Sequence, residues 1–264
     1  MIFNRCCHVV WLVLFVFLAG CGTPMRLEPE ARLARGDKVG LVVNASPSPM
    51  QVHKGSLAWH NFTRTYSDYD WRLKEGIFET VSKELSNRGL KVIDLAASGV
   101  SVFNLNGLLT RDANGAWQPS DSKKALVAKL KGDLGLKAVV SVTELPTALN
   151  LPNYPVYDAS GIYSNKVWPL DTSFIATAPL WWNVWMLQPM EELTPSNANS
   201  RVAAGYYNFP RTGMTPGGWD NGVKVKDDQN VSAAEFHEFR TVILQSQRDK
   251  AARLGDSIGP SKGH

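Results

Sequence analysis

"DWRLKEGIFETVSKELSNRGLKVIDL", residues 70–95, is the stretch that decides the fold of this chain. Its apolar side chains recur at every fourth position, at Leu73, Ile77, Val81 and Leu85. This spacing predicts a helix over about 70–88 with one apolar face. Asp70 is a suitable N-cap, and Gly89 stands where the end of a helix favours a left-handed residue. The apolar run at 90–95 predicts a strand directly after the helix.

The same alternation extends to both sides of this stretch. The Val-rich run "KVGLVVN" at 38–44 predicts a buried strand before the first helix. A second helix is predicted over 122–134 and a third strand over 137–144, whereas 45–69 is predicted to be a loop. Strands that alternate with helices indicate right-handed crossovers onto a parallel or mixed sheet.

The second half of the chain has longer β-type runs joined by short turn-rich links. Three strands are predicted, at 154–164, 172–189 and 201–209. A closing helix is predicted over 233–254, because Ser232 and Glu235 have the spacing of a capping box. The predicted fold class is therefore α/β, with a mixed sheet of about five to six strands in the order β-α-β-α-β-β-β-α. The domain is predicted to span 38–254, followed by a disordered tail at 255–264.

The N-terminus has the pattern of a secretory signal peptide. Arg5 precedes the unbroken apolar run 9–18, and the small residues Ala19 and Gly20 follow it. The run is shorter than the ~20 residues that a membrane-spanning helix needs. Residues 1–20 are therefore predicted to be a cleaved signal peptide.

"LAGC", residues 18–21, resembles the lipobox of bacterial lipoproteins. This resemblance covers residues 1–22 and implies that Cys21 becomes the lipidated first residue of the mature chain. Residues 21–37 would then be the lipidated N-terminus and a tether to the membrane. Gly22 stands where an Asp would favour the inner membrane, which implies an outer-membrane protein whose domain faces the periplasm.

The position of the cysteines agrees with this interpretation. Cys6 and Cys7 lie in the predicted signal peptide, which leaves Cys21 as the only cysteine of the mature chain. A lone, lipidated cysteine excludes an internal disulfide, a cysteine-based metal site and a cysteine nucleophile.

The order of elements resembles that of several periplasmic lipoprotein domains: the curli-secretion lipoproteins, the penicillin-binding-protein activators and the N-terminal domain of TolB. Residues 38–95 also resemble the start of a group of bacterial lipoproteins of unassigned role. These resemblances imply a periplasmic α/β domain. They imply no particular chemistry, because fold does not determine function.

Motifs that could carry chemistry are sparse, so no catalytic residue, metal or cofactor is predicted. "SDSK" at 120–123 fits the S-x-x-K pattern of penicillin-recognising enzymes, but the accompanying S-D-N and K-T-G motifs are missing, which favours an ordinary helix cap. His53 and His60 share one loop without the three convergent ligands that a metal site needs. The net charge of +4 is mild and its basic residues are interspersed with acidic ones, which argues against nucleic acid as a partner.

The stretch "PLWWNVWM" at 179–186 leaves two interpretations open. On a strand, Trp182 shares an entirely apolar face with its neighbours and is predicted to be core. Trp181, Asn183 and Trp185 share the other face. That face is either buried in a central strand or forms an exposed platform for another envelope protein or a cell-wall glycan.

The function predicted from these features is that of a non-enzymatic accessory or assembly factor, anchored to the outer membrane by lipid. Two alternatives remain open. One is a lipid-anchored periplasmic hydrolase. The other is a secretion-channel subunit, which would need hairpins able to enter a membrane, and only residues 98–118 come near that pattern.

Overall fold

The computed structural model describes residues 33–144, 147–148, 156–157, 160–166, 172–178, 180–193 and 230–260. The predicted signal peptide, Cys21, the tether up to residue 32 and the predicted strand at 201–209 lie outside these residues. No helix in the described part of the chain has the length and apolarity needed to cross a bilayer.

The described elements alternate between strands and helices along the chain. The strands are β1 (Lys38–Asn44), β2 (Met50–Lys54), β3 (Phe62–Thr65), β4 (Lys91–Asp94), β5 (Leu109–Arg111), β6 (Trp117–Pro119), β7 (Leu136–Glu144), β8 (Thr147–Ala148), β9 (Val156–Tyr157), β10 (Gly161–Lys166), β11 (Thr172–Thr177), β12 (Leu180–Leu187) and β13 (Met190–Glu192). The helices are α1 (Leu73–Asn87), α2 (Val102–Leu105), α3 (Lys124–Gly132) and α4 (Ala233–Ile258).

The main sheet has five strands in the spatial order β13-β12-β7-β1-β4. Strand β7 is central, and β1 lies between β7 and β4 and pairs in parallel with both. Strand β12 is antiparallel to β7, and β13 is antiparallel to β12. The prediction of an α/β fold with a mixed sheet and an antiparallel continuation is confirmed. We call the end of this sheet where β1, β4 and β7 begin the amino edge, and the opposite end the carboxyl edge.

A second sheet, in the order β11-β10-β2-β3, was not predicted. The prediction of a loop over 45–69 is wrong, because β2 and β3 lie there. Along β2, Gln51 and His53 are buried as fully as Met50 and Val52, so its alternating apolar and polar residues do not mark a buried and an exposed face. The single strand predicted over 172–189 is instead two strands in different sheets, β11 ending at Thr177 and β12 beginning at Leu180.

The second sheet depends on a glycine at the start of β10. Gly161 is in register with Met50 of β2. A Cβ on residue 161 would lie 1.7 Å from the Met50 carbonyl oxygen, so only glycine allows the two strands to approach this closely.

The main sheet has a hydrophobic core on each face. Helices α1 and α4 cover one core, and α2, α3 and the β5–β6 hairpin cover the other. Strand β12 contributes to both, because Trp182 lies in the first core and Trp185 in the second. Residues 98–118, which include α2 and β5, contribute Val100, Val102, Leu105, Leu108 and Leu109 to the second core.

Helix α1 begins three residues later than predicted. The Asp70 Oδ1 atom accepts a hydrogen bond from the Arg72 N–H at 2.9 Å, which makes a turn before the helix. Arg72 itself is left-handed, with φ of 49°, and is the cap residue. The other end matches the prediction, because Gly89 has φ of 81° directly after the helix.

The predicted range of the domain, 38–254, is too short at both ends. Leu33, assigned to the tether, is buried in the core, and its N–H donates to the Ile258 carbonyl at 2.6 Å. Helix α4 starts with the predicted Ser232–Glu235 capping box but continues to Ile258. The prediction of disorder from residue 255 is wrong for 255–260, because Gly255 and Ile258 are buried against the domain. The weak apolar stripe after Leu244 concealed this packing.

Candidate functional site

The Trp-rich strand β12 is mostly core. Trp182 and Trp185 are each 3% exposed, so the prediction that Trp182 is core is confirmed. The assignment of Trp185 to an exposed platform is corrected, because helices α2 and α3 and the β5–β6 hairpin cover its face of the sheet. Trp181 and Asn183 are half-buried and lie nearer the carboxyl edge, in register with Thr143 and Ser141 of β7. Partner binding by these two residues stays a prediction.

The S-x-x-K pattern does not form a nucleophile and base pair. The Ser120 hydroxyl donates to the Gly107 carbonyl at 2.6 Å, which fixes it against the preceding loop. Ser120 is the cap residue of the short 3-10 turn 121–123 before α3, but its side chain makes no capping hydrogen bond. Asp121 instead forms an ion pair with Lys124 at 2.8 Å on the surface.

The two histidines of the β2–β3 region differ in solvent exposure. His53 is buried on β2, whereas His60 is exposed beside Trp59 in the link to β3. No group of three or more His, Cys, Asp or Glu side chains within the described ranges is placed to hold a metal ion.

A buried polar cluster that the sequence did not reveal joins β2 to β10. We define it as Gln51, His53, Tyr66 and Ser164. The Ser164 Oγ atom lies 2.8 Å from His53 Nδ1, and Gln51 Nε2 donates to the same oxygen at 3.3 Å. The Tyr66 hydroxyl donates to Gln51 Oε1 at 2.7 Å. Because Ser164 is fully buried, its contact with His53 holds two strands together and offers no accessible nucleophile.

A second buried polar group connects the two sheets. The carboxylate of Glu144, at the end of β7, accepts hydrogen bonds from the Ser46 N–H at 2.7 Å and from the Ser160 N–H at 2.9 Å. Burial raises the pKa of Glu144, and these hydrogen bonds oppose that rise. Ser46 follows β1 and Ser160 precedes β10, so Glu144 fixes the second sheet at the carboxyl edge of the first.

Two adjacent grooves lie at this carboxyl edge, where ligands of open α/β sheets usually bind. The first, of about 270 Å³, lies between the start of α1 and α4. Its lining is Tyr69, Asp70, Trp71, Arg72, Glu75, Glu79, His237 and Arg240. The second, of about 280 Å³, lies between α1 and the ends of β1 and β4, with Lys74, Phe78 and Asp94 in its lining. Glu75 and Glu79 belong to both, and we call the pair the carboxyl-edge grooves.

The first groove owes its shape to a close contact between two helices. A Cβ on Gly76 would lie 2.5 Å from Arg240 Nη2, so the Arg240 side chain takes its place over α1 because residue 76 has no side chain. Arg240 Nη2 donates to the Arg72 carbonyl at 3.2 Å, which ties α4 to the left-handed cap of α1. The resulting surface carries both charge signs side by side, a composition that suits a polar partner surface rather than an apolar ligand.

The link between β2 and β3 also lies on the carboxyl-edge side of the main sheet and carries exposed apolar side chains. Trp59 is 75% exposed and Leu57 is also exposed. An exposed Trp on a short link is the kind of anchor that protein interfaces favour. Nothing in the sequence distinguishes the exposed Trp59 from Trp182 and Trp185 of β12, which fill the core.

Comparison with known proteins gives a distant likeness among solved structures. No family model matches the chain, and no curated protein matches it. Among solved structures, the chain is similar to lipoprotein GNA1162 from Neisseria meningitidis, with 14% identity and a TM-score of 0.25. The match covers 65% of this chain and 93% of that one. A likeness this distant carries no argument about the function of this chain.

Proposed function

We propose that this chain is a lipoprotein of the bacterial outer membrane, anchored through Cys21, that acts as a non-enzymatic accessory or assembly factor. The observation that carries this proposal is the "LAGC" motif directly after the apolar run 9–18. A lipid anchor needs two or more chains for stable attachment, and a lipobox cysteine receives them.

The fold supports this assignment through the position of the tether. Leu33 is fixed at the amino edge, and Cys21 precedes it by twelve residues. Fully extended, those residues reach about 42 Å at most. The anchor therefore holds the amino edge near the bilayer. The carboxyl-edge grooves, Trp59 and the half-buried Trp181 and Asn183 are then available to another envelope protein or a cell-wall glycan.

A binding role fits the site better than a hydrolase does. A hydrolase needs a nucleophile that substrate can reach, and the Ser164–His53 pair is buried between strands. A secretion-channel subunit needs hairpins that are free to enter a membrane. The β5–β6 hairpin instead has three-residue strands packed beside the second core.

Cys21→Ser tests the anchor directly. We expect the variant to keep its signal peptide or to leave the membrane fraction, because the serine hydroxyl cannot accept the lipid. Fractionation of cells with and without detergent, followed by detection of the chain, measures this. Cys6→Ser is the matched control, since Cys6 lies in the predicted signal peptide, and it should behave as the wild type does. A Cys21→Ser chain that still required detergent for release would contradict the proposal.

A further inference from the structure

The amino edge of the main sheet carries a cluster of cations. Lys38 and Lys91 open β1 and β4 and are directly in register with each other. Arg35 lies just before β1, and Lys131 lies in the last turn of α3, five residues before β7 begins. All four side chains are exposed. We call Arg35, Lys38, Lys91 and Lys131 the basic edge.

Few anions offset these charges. Asp37 is half-buried, and its Oδ2 atom accepts a hydrogen bond from the Ala34 N–H at 2.7 Å. Asp256 is exposed but paired with Arg88, and Asp133, two residues after Lys131, is an exposed carboxylate beside the basic edge. No residue of the basic edge forms an ion pair within the described residues; Lys38 Nζ donates to the Leu134 carbonyl at 3.3 Å.

Lys38 and Lys91 bring two positive charges close together. They are register partners in the parallel β1–β4 pair, and like charges repel each other. An external anionic surface would relieve the repulsion. The same edge receives the tether, because the Gly36 N–H donates to the Gly89 carbonyl and the Lys91 N–H to the Asp37 carbonyl. The cations therefore lie where the tether from the proposed lipid anchor joins the domain.

We propose that the basic edge docks on the anionic phospholipid headgroups of the membrane that holds the anchor. This inference rests on the proposed function for its geometry, since the tether to Cys21 keeps the edge within reach of the bilayer. Each Lys or Arg near an anionic surface strengthens its binding by roughly fivefold. Docking fixes the orientation of the domain, with the carboxyl-edge grooves facing away from the membrane.

Lysine labelling on vesicles tests the proposal with the full chain. The protein is purified from its native membrane and mixed with vesicles of phosphatidylcholine, alone or with phosphatidylglycerol. A water-soluble acetylating reagent then labels exposed lysines, and peptide mass spectrometry gives the rate at each one. With phosphatidylglycerol present, we expect labelling of Lys38, Lys91 and Lys131 to slow by about fivefold. Lys74, at the carboxyl edge, is the matched control and should label at an unchanged rate.

Two further arms sharpen the result. Raising the salt from ~0.1 to ~1 M shortens the screening length from about 10 to 3 Å and should restore labelling. The double variant Lys38→Glu and Lys91→Glu, checked by its thermal melt, should lose the protection of Lys131. Equal labelling of the basic edge on both kinds of vesicle would overturn the proposal. Equal protection by inorganic phosphate alone would overturn it in favour of a small-anion site.

The labelling also separates this inference from the proposed function. Recovery of the protein with phosphatidylcholine vesicles reports the lipid anchor, because those vesicles carry no net charge. Slower labelling that depends on phosphatidylglycerol reports the basic edge. A chain without lipid would not be recovered with neutral vesicles, yet its lysines could still be protected on anionic ones.

Discussion

Alanine in place of either Trp182 or Trp185 is expected to lower the free energy of unfolding by about 3–5 kcal/mol. Both side chains are 3% exposed, and each fills a different core, so either truncation leaves a cavity. Such a loss is a large part of the ~5–15 kcal/mol that stabilises a typical domain. Chemical denaturation, or the level of accumulated protein if the variants do not fold, measures the effect.

Matched variants separate the core role from a platform role. Trp59→Ala removes an exposed Trp and should change the free energy of unfolding by no more than about 0.5 kcal/mol. Trp182→Phe should cost more than Trp185→Phe, because Trp182 Nε1 donates to Gln247 Oε1 at 3.0 Å. Trp185 Nε1 is buried without a hydrogen-bond partner in the described part of the chain. A Trp185→Ala protein as stable as the wild type would contradict the burial of that face.

Lys250→Met is expected to raise the free energy of unfolding by up to about 3 kcal/mol at pH 7. Lys250 is 6% exposed on α4, and burial lowers its pKa from 10.5 to about 8. Below pH 8 the amine is charged in both states, so folding carries the cost of burying that charge, reduced by the contacts that Lys250 makes. Between about 8 and 10.5 the unfolded chain holds more protons, so the stability of the wild type rises with pH. The advantage of the variant should therefore shrink over that range.

Denaturation curves recorded between pH 7 and pH 10.5 for both proteins measure this difference. Lys83→Met is the control, because Lys83 is exposed on α1, and its difference from the wild type should stay flat with pH. If the advantage of Lys250→Met were absent at pH 7, or grew as the pH rose, the assigned burial of the Lys250 charge would be wrong.

Much of the main sheet could be predicted because its signals are local. Three of these signals involve only residues close in sequence. They are the apolar residue at every fourth position from Leu73 to Leu85, Gly89 at the end of the helix, and the Ser232–Glu235 capping box. The second sheet could not be predicted in the same way. Its strand β2 buries Gln51 and His53, whose partner Ser164 is more than a hundred residues away. Only the tertiary contact makes those polar residues acceptable inside the protein.

The candidate site shows the same division. The half-buried Trp181 and Asn183 were found from strand alternation, but the pattern could not distinguish them from the buried Trp185. Trp185 is buried because α2, α3 and the β5–β6 hairpin cover it. The periodicity within β12 carries no information about which other elements cover each residue. The carboxyl-edge grooves depend on the approach of α4 to Gly76, and the two lie more than 150 residues apart along the chain. The basic edge becomes visible only once the register sets Lys38 against Lys91.

The mass of the N-terminal peptide of the protein taken from its native membrane shows whether Cys21 carries lipid. We expect a mature chain that begins at Cys21, with a diacylglyceryl group on its sulfur and none of residues 1–20 attached. A chain that begins at Met1, or one that carries Cys21 as a free thiol, would contradict this expectation.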